Sequence, residues 1–389
     1  MFDLDLNETQ QALVDSVKKV CATFDDQYWT KHDQEKLFPY EFFDAMVELG
    51  IVGMASPEEY GGSNCSIEDT ALVLETISAS GAGINGCSSI HLSMFGFHPV
   101  LMHGSEALKQ KYLPRIASGE IHVSFSVTEP DAGSDTGRIT TKATKTDDGW
   151  VLNGRKVWMT KAHIATSALV LARTSAPGET KRDIDGLSLF VVDLDPKYCT
   201  ISKIPKIGRN CVASCEVVFD NMPIPEMNLV GEVGRGFYNI LDGLNPERVF
   251  VAAEAVGLGR VALERGVRYA NEREVFGRLI GKNQAIQHPL ADAHMQLSAA
   301  HAMYRIAARK FDKGQSCGEE ANTAKFLAGR SANFAIDRAF QTHGGMGMAV
   351  EYQIERWYRE GRLLRIAPVS EEQIMNFVGE KVLGLPRSY

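Results

Sequence analysis

The sequence predicts an α+β protein in which a strand-rich middle segment separates two helical segments. Residues 1–120 carry apolar side chains at the three- and four-residue spacing of amphipathic helices. Residues 121–234 contain short β-branched and aromatic runs between turn-forming residues, and long helical patterns return over residues 235–389. This order favours a compact β domain between two helical layers. We predict domain boundaries at the limits of those three ranges.

The first helical segment has a recognisable beginning. Asn7 and Gln10 occupy the two positions of a capping box, in which each side chain bonds to the backbone of the other residue. Apolar residues then follow at helical spacing at Leu13, Val14 and Val17. We therefore predict a helix that begins just after Asn7.

Composition limits the classes of function. The 389 residues carry a formal net charge of −8, which argues against nucleic-acid binding, and no uninterrupted apolar run is long enough to span a bilayer. Seven cysteines, scattered and odd in number, are typical of a reducing compartment. The acidic stretch Met1–Glu8 argues against a secretory signal or a transit peptide. We therefore expect a bacterial cytoplasm in preference to a mitochondrial matrix.

The middle segment contains four clear strand candidates, and each is rich in β-branched or aromatic residues. These candidates are Trp150–Leu152, Leu169–Ala172, Leu187–Val192 and Glu216–Phe219. Residues 174–186 are polar and carry Pro and Gly, so we expect a surface loop there.

Two motifs in the middle segment are typical of a ligand site. An alternating run, Val123–Val127, leads into Glu129-Pro-Asp-Ala-Gly-Ser134. In that turn, Pro, Gly and small polar side chains can bring backbone N–H groups close to an anion. Downstream, the stretch Asn153–Thr160 has the pattern of a hairpin entry followed by an aromatic strand that ends in a hydroxyl. Surface loops use the same residues, so the order and separation of the two motifs carry the signal.

Two further motifs lie in the C-terminal segment. Arg273-Glu-Val-Phe-Gly277, followed by Gln284, lies between two helical patterns and is also compatible with an ordinary helix end and turn. Clustered glycines in Gln341–Gly347 permit close approach of the backbone to a ligand or to a neighbouring helix. His294 and His301 share a helical face, but no acidic or cysteine ligand accompanies them at metal-binding spacing. We predict no metal site.

A carboxylate precedes the Arg273 motif at the beginning of a predicted helix. Asn245 is a good N-cap and Pro246 a good first helical residue, which would place Glu247 and Arg248 in the first turn. A glutamate at this position can also simply complement the helix dipole. A catalytic role therefore depends on what else lies nearby.

Over essentially the whole chain, these motifs resemble the acyl-CoA dehydrogenase family. The resemblance implies an N-terminal helical domain, a middle β-barrel-like domain and a C-terminal four-helix bundle, with FAD as the cofactor. The residues that it assigns to FAD are Phe125, Val127, Thr128, Gly133, Ser134, Trp158, Thr160, Arg273, Phe276, Gln284, Gln341, Gly344, Gly345 and Ser370. Val275 stands where the family has Ser or Thr, which removes one expected hydrogen bond to the pyrophosphate.

The family reaction removes the α-hydrogen of an acyl thioester as a proton and the β-hydrogen as a hydride. Most members carry the base in a C-terminal turn, where this chain has Pro368 or, after one inserted residue, Val369. Neither can take a proton. The resemblance to isovaleryl-CoA and long-chain acyl-CoA dehydrogenases instead implies Glu247 as the catalytic base, with Arg248 in support.

The resemblance also implies the substrate contacts and the partners. Ser134, Asn245 and Arg248 are expected to contact the acyl-CoA, and Val369 to offer a backbone N–H to the thioester carbonyl, because Pro368 has none. The glycine-rich motif is expected to reach the FAD of a partner subunit in a homotetramer built as a dimer of dimers. An electron-transferring flavoprotein or an equivalent carrier would reoxidise the flavin.

Two other functions remain open from the sequence. One is a flavin monooxygenase or oxidase on the same fold, and the other is a non-catalytic protein that binds a flavin or a CoA ester. The sequence leaves open the length and branching of the acyl group, and the choice between CoA and acyl carrier protein.

Overall fold

The computed structural model describes residues 6–388, so most of the acidic stretch at the N-terminus lies outside the described residues. The elements follow the predicted order of helices, strands and helices. The first group comprises α1 (Glu8–Cys21), α2 (Asp26–Glu35), α3 (Tyr40–Glu48), α4 (Ile67–Ile77), α5 (Gly83–Phe95), α6 (His98–His103) and α7 (Glu106–Ala117). The predicted capping box is present at the beginning of α1. Within the described chain, no helix is long and apolar enough to cross a bilayer.

The middle segment forms one eight-stranded sheet. Its strands are β1 (Val123–Ser126), β2 (Lys142–Thr146), β3 (Gly149–Thr160), β4 (Ser167–Arg173), β5 (Leu187–Asp193), β6 (Cys199–Lys203), β7 (Ser214–Pro225) and β8 (Leu229–Val230). They lie in the order β6-β7-β3-β2-β4-β5-β8, and β1 pairs in parallel with β4. The predicted loop over residues 174–186 connects β4 to β5, with a short 3-10 turn at its end.

The sheet is open, which corrects the expectation of a β-barrel-like domain. Its outer strands β6 and β8 do not pair with each other in the described part of the chain. The sheet instead buries apolar side chains on both faces. One face packs against α6 and α7 around Leu169 and Leu171, and the other encloses Val170 and Val192. The sheet does not need to close into a barrel to bury its core, because α6 and α7 cover one of its faces.

The C-terminal segment is built from long helices. It comprises α8 (Gly236–Leu241), α9 (Leu244–Glu272), the hairpin β9 (Glu274–Val275) and β10 (Arg278–Leu279), α10 (Gln284–Asp312), α11 (Gly318–His343), α12 (Ile354–Gly361) and α13 (Glu371–Phe377). A main core joins α9–α12 to α1–α5. The boundaries at residues 120/121 and 234/235 stay predictions.

Close contacts at small residues show how the long helices are oriented relative to one another. A Cβ on Gly259 would lie 3.1 Å from Cα of Ala332, and one on Gly266 would lie 3.1 Å from Cα of Ala339. Contacts that advance together along both helices mean that α9 and α11 run parallel. Gly259 also lies next to Leu297 and Gly266 next to Leu290, so α10 packs against α9 in the opposite direction. The C-terminal ends of α9 and α11 and the beginning of α10 therefore meet at one end of the bundle.

Candidate active site

The fold brings together the two motifs of the middle segment. Val157 N–H donates to the Thr128 carbonyl at 3.0 Å, and Ser124 Oγ donates to the Thr160 carbonyl at 2.8 Å. Trp158 has a left-handed backbone with φ of +62°, and its side chain is 55% exposed. A large aromatic face left open beside a hydroxyl is available to a planar ligand.

The surface beside this strand is also open. Phe125, Val127 and Thr128 are partly exposed, and Gly133 and Ser134 are exposed in the turn that follows. A Cβ at Gly133 would meet no atom within 4 Å. The protein itself therefore leaves room for a ligand at this turn.

Glu129 has a structural role that the sequence analysis did not identify. Its buried carboxylate accepts hydrogen bonds from the backbone N–H groups of Thr140 and Thr141 at 2.8 and 2.9 Å and lies 3.0 Å from Lys156 Nζ. Burial alone would raise the pKa of Glu129, but Lys156 and these donors lower it to about 2. Lys156 Nζ also donates to the Val127 carbonyl at 2.8 Å. The pair ties the turn to β3.

Glu247 lies in the first turn of α9, as predicted, but the helix begins differently. Its N-cap is Gly243 and its first residue is Leu244, so the prediction of Asn245 as N-cap is wrong. The Asn245 side chain instead accepts a hydrogen bond from Arg248 Nη1 at 3.0 Å. Because Pro is tolerated in the first turn of a helix, Pro246 allows α9 to begin two residues earlier than its sequence signal.

A histidine that the sequence analysis missed contacts the predicted base. His91 of α5 lies 2.8 Å from Glu247 Oε2 through Nε2, and 2.6 Å from Glu254 Oε1 through Nδ1. Glu247 keeps 26% of its side chain exposed, whereas Glu254 is buried. The only signal in the sequence was a histidine inside the apolar run around Ile90, which is also typical of an ordinary core position.

A partly buried arginine joins this cluster to the aromatic strand. Arg209, in the loop before β7, contacts Thr160 Oγ1 at 3.4 Å through Nη2 and Ser88 Oγ at 3.4 Å through Nη1. Nη2 also donates to Ser214 Oγ at 2.8 Å. Because Ser88 and His91 lie one turn apart on α5, that helix contacts both the Arg209–Thr160 pair and the Glu247 carboxylate. Burial lowers the pKa of Arg209, and Glu254 opposes that effect.

The C-terminal turn is held by a buried lysine. Lys325 Nζ donates to the Val369 carbonyl at 2.6 Å, and its pKa falls to about 8, chiefly because it is buried. Ser370 is the N-cap of α13, since its Oγ accepts from Gln373 N–H at 3.4 Å. Repulsion from the Arg248 guanidinium also lowers the pKa of Lys325, so this turn lies on the Arg248 side of α9.

The remaining predicted cofactor residues lie at the far end of the bundle. Phe276 is fully exposed at the tip of the β9–β10 hairpin, with φ of +57°, beside a surface hollow of about 650 Å³. Arg273 and Gln284 flank that hairpin, while the exposed Gln341, Gly344 and Gly345 end α11. Glu247 and Glu272 lie at opposite ends of α9, about 37 Å apart at about 1.5 Å of rise per residue. One chain therefore does not bring these residues to Glu247.

No group of three or more His, Cys, Asp or Glu side chains is arranged to hold a metal ion within residues 6–388. His301 bonds instead to Glu75 of α4, with 2.9 Å between its Nδ1 and Glu75 Oε2. All seven cysteines lie in the described chain and are free thiols.

Comparison with known sequences covers nearly the whole chain. Profiles of the acyl-CoA dehydrogenase N-terminal, middle and C-terminal domains match residues 7–120, 124–222 and 234–383. An acyl-CoA dehydrogenase of Mycobacterium tuberculosis is 34% identical over 98% of both chains. A subunit of the caffeyl-CoA reductase-Etf complex of Acetobacterium woodii is 34% identical over 85% of this chain and 86% of that protein.

Solved structures agree with these sequence matches. The butyryl-CoA dehydrogenase of Megasphaera elsdenii superimposes with a TM-score of 0.91 at 29% identity, and covers 98% of this chain and 100% of that chain. PigA with FAD and proline superimposes with a TM-score of 0.92 at 26% identity, over 99% of this chain and 100% of that chain.

Proposed function

The chain belongs to the acyl-CoA dehydrogenase family, and from this premise we propose how its residues carry out the family reaction. The enzyme is an FAD-dependent oxidoreductase that converts an acyl-CoA thioester to the trans-2-enoyl-CoA. The proposal assigns the α-proton to Glu247. The observation that supports it most directly is a partly exposed carboxylate in the first turn of α9, one helix away from the Trp158–Thr160 strand.

The residues present fit a flavin. Trp158 offers an open aromatic face, the Thr160 hydroxyl stands beside the Arg209 guanidinium, and the turn at Gly133 and Ser134 leaves space for a phosphate. A partly buried cation beside that hydroxyl suits a ring system that gains negative charge. FAD, when bound, accepts the hydride from the β-carbon.

Glu247 would act as a general base. Its Oε2 is bonded to His91, and Oε1 makes no hydrogen bond to residues 6–388, so Oε1 is the oxygen that can take the proton. The electron pair of the broken α-C–H bond becomes the new C=C bond as the hydride leaves the β-carbon. A carboxylate at a desolvated site is a suitable base for this step.

The substrate contacts follow from the surrounding turns. The carbonyl of the thioester gains negative charge during proton removal and needs a donor. Val369 N–H is the candidate, since Lys325 fixes the carbonyl of the same residue and Pro368 has no N–H. Arg248, held by Asn245, and Ser134 are the candidates for the CoA-bearing half.

The predicted cofactor residues at the end of the bundle opposite Glu247 support an oligomer. Arg273, Phe276, Gln284, Gln341 and Gly345 lie at the end of the bundle opposite Glu247, and about 37 Å along α9 separates the two ends. If they bind FAD, they bind the FAD of another subunit. We therefore infer a homo-oligomer, with the predicted dimer of dimers as its form. The fully exposed Phe276 fits a role in covering a partner's cofactor.

The relatives support an electron-transferring flavoprotein as the acceptor, because one relative is a subunit of a reductase-Etf complex. The bacterial relatives are consistent with the predicted bacterial cytoplasm.

Anaerobic mixing of the FAD-loaded protein with a panel of acyl-CoAs tests the assignment. The panel comprises butyryl-, octanoyl-, palmitoyl-, isobutyryl-, isovaleryl- and glutaryl-CoA. At least one should bleach the flavin of the wild type, and Glu247→Gln should bleach at least about 100-fold more slowly. Glu272→Gln, on the same helix, is the matched control and should behave as wild type.

Bleaching of Glu247→Gln at the normal rate would remove Glu247 as the base. Rapid reaction of the reduced flavin with oxygen would instead indicate a monooxygenase or oxidase. A yellow wild-type protein that no thioester bleaches would indicate a binding protein without turnover.

A further inference from the structure

His91 links two carboxylates of α9 that share one helical face. Glu247 and Glu254 are two turns apart, so both can point toward α5. The imidazole lies between them, 2.8 Å from one and 2.6 Å from the other, and is 8% exposed. The ring of Phe250 meets it edge-on with centroids 6.0 Å apart. Both ring nitrogens are therefore engaged, away from bulk water.

The geometry suits a charged histidine. Only the imidazolium can donate from both ring nitrogens, and two ionised carboxylates can only accept. Burial alone would lower the pKa of His91, but Glu247 and Glu254 together raise it well above its ordinary value. At neutral pH His91 is therefore the imidazolium, with one glutamate side chain at each ring nitrogen.

Other charged and titratable groups face the same cluster. Arg209 approaches from the loop before β7, and attraction to the charge of Glu254 opposes the lowering of the Arg209 pKa by burial. Lys161 approaches α5 from the end of β3, where its Nζ donates to the Ser89 carbonyl at 3.1 Å and to Ser93 Oγ at 3.0 Å. Cys87 lies on α5 itself, and burial keeps its pKa well above the ordinary value. Charges of alternating sign therefore run from Glu247 through His91 and Glu254 to Arg209.

We propose that His91 is a positioning residue for the base, and that Glu254 is its counter-ion. The assignment rests on the proposed role of Glu247. The imidazolium holds Oε2 of Glu247 and so turns Oε1 toward the α-carbon of the substrate. When Oε1 takes the proton, Glu247 becomes neutral, and His91 would be left as an unpaired buried cation if Glu254 were absent. Glu254 keeps the remaining pair neutral, which removes that cost from the proton transfer.

A purely structural role makes a different prediction. A buried His–Glu bond that only joins α5 to α9 would change stability when removed, without changing the pH dependence of flavin reduction. The chain offers a matched control, because His301 of α10 makes a buried bond of the same kind to Glu75. His301→Gln removes such a bond at a site with no contact to Glu247.

The test is the rate of anaerobic flavin reduction between pH 5.5 and 9.5, with the acyl-CoA that reduces the wild type fastest. His91→Gln should reduce its flavin about 10- to 100-fold more slowly at saturating substrate, with FAD content and apparent substrate affinity retained. The acid limb of its pH–rate profile should move about one pH unit upward, because no cation next to Glu247 now favours the ionised base. Glu254→Gln should instead move the alkaline limb downward, since His91 loses its proton more easily.

His301→Gln should retain the wild-type rate and profile. A His91→Gln enzyme with the wild-type rate and both limbs unmoved would overturn the proposal, even if its thermal stability fell. If His91→Gln does not fold with FAD, the Glu254→Gln profile decides, and an unmoved alkaline limb overturns the proposal. A wild type that no acyl-CoA reduces would remove the proposed function, and this inference with it. Reduction of the wild type but not of Glu247→Gln, with His91→Gln unchanged, removes only this inference.

Discussion

Lys161 provides a quantitative test of the structure, because it is a fully buried ammonium without a carboxylate partner in the described chain. Its Nζ has only two hydrogen-bond acceptors, on Ser89 and Ser93, with the ring of Phe43 5.5 Å away. Burial lowers the pKa of Lys161 from 10.5 to about 7. At about 1.36 kcal/mol for each unit, this shift corresponds to a penalty of about 5 kcal/mol on the folded state at low pH.

The direction of the pH dependence follows from this shift. Between pH 7 and 10.5 the unfolded chain binds a proton at Lys161 that the folded chain does not bind, so stability rises with pH in this window. Lys161→Met removes the penalty but also loses two hydrogen bonds, each worth about 1 kcal/mol at any pH. The variant should therefore be more stable than wild type by about 3 kcal/mol at pH 6.5 and about equally stable at pH 9.5.

Urea unfolding of the FAD-loaded protein at the two pH values, at one fixed protein concentration, measures this difference. Lys36→Met is the matched control, because Lys36 has a similar left-handed backbone (φ of +57° against +51°) but an exposed side chain. The control should change stability by less than about 0.5 kcal/mol at both pH values. A Lys161→Met protein that is destabilised equally at both pH values would refute the reasoning, because the cost would then come from lost contacts and not from a buried charge.

Two glycines give further predictions. Gly257→Ala should destabilise the fold by about 2 kcal/mol in urea unfolding, because its Cβ would lie 2.4 Å from the Glu75 carbonyl oxygen. Gly379→Ala is the control, because its Cβ would have only one neighbouring atom, at 3.9 Å. Equal stability of the two variants would contradict the predicted clash. Gly345 has open space around it within the chain, so Gly345→Leu should unfold as wild type yet lose FAD or its oligomeric state. Flavin absorbance per chain and size-exclusion chromatography measure this loss, and full retention of both would remove Gly345 from the proposed interface.

Several parts of the fold could be predicted because their signals are local. The capping box at Asn7 and Gln10 and the run that became β1 each lie within a few residues. The same is true of the first-turn position of Glu247. Helix and strand periodicities and cap residues act over one or two turns, so a single sequence carries them.

Other features depended on contacts between distant segments. The open edges of the sheet follow from how far the strands curve, which no strand's own pattern specifies. The beginning of α9 at Gly243 and Leu244 reflects the packing of the preceding turn, which overrode the stronger capping preference of Asn245. The role of Glu129 as a buried anchor could not be predicted, because Lys156 and Thr141 reach it only after β2 and β3 pair.

The sequence by itself determined the order of the elements, the family and the first-turn position of the Glu247 carboxylate, because each depends on residue types at fixed spacing. Only the tertiary structure decided what surrounds that carboxylate. His91 lies 156 positions from Glu247 in the chain and meets it because α5 crosses α9 at that turn. Likewise, the distance along α9 separates Glu247 from Phe276. Side chains that meet where two helices cross, or that the length of a helix keeps apart, leave no periodic trace in the sequence. The neighbours of Glu247 and its separation from Phe276 therefore follow from the fold.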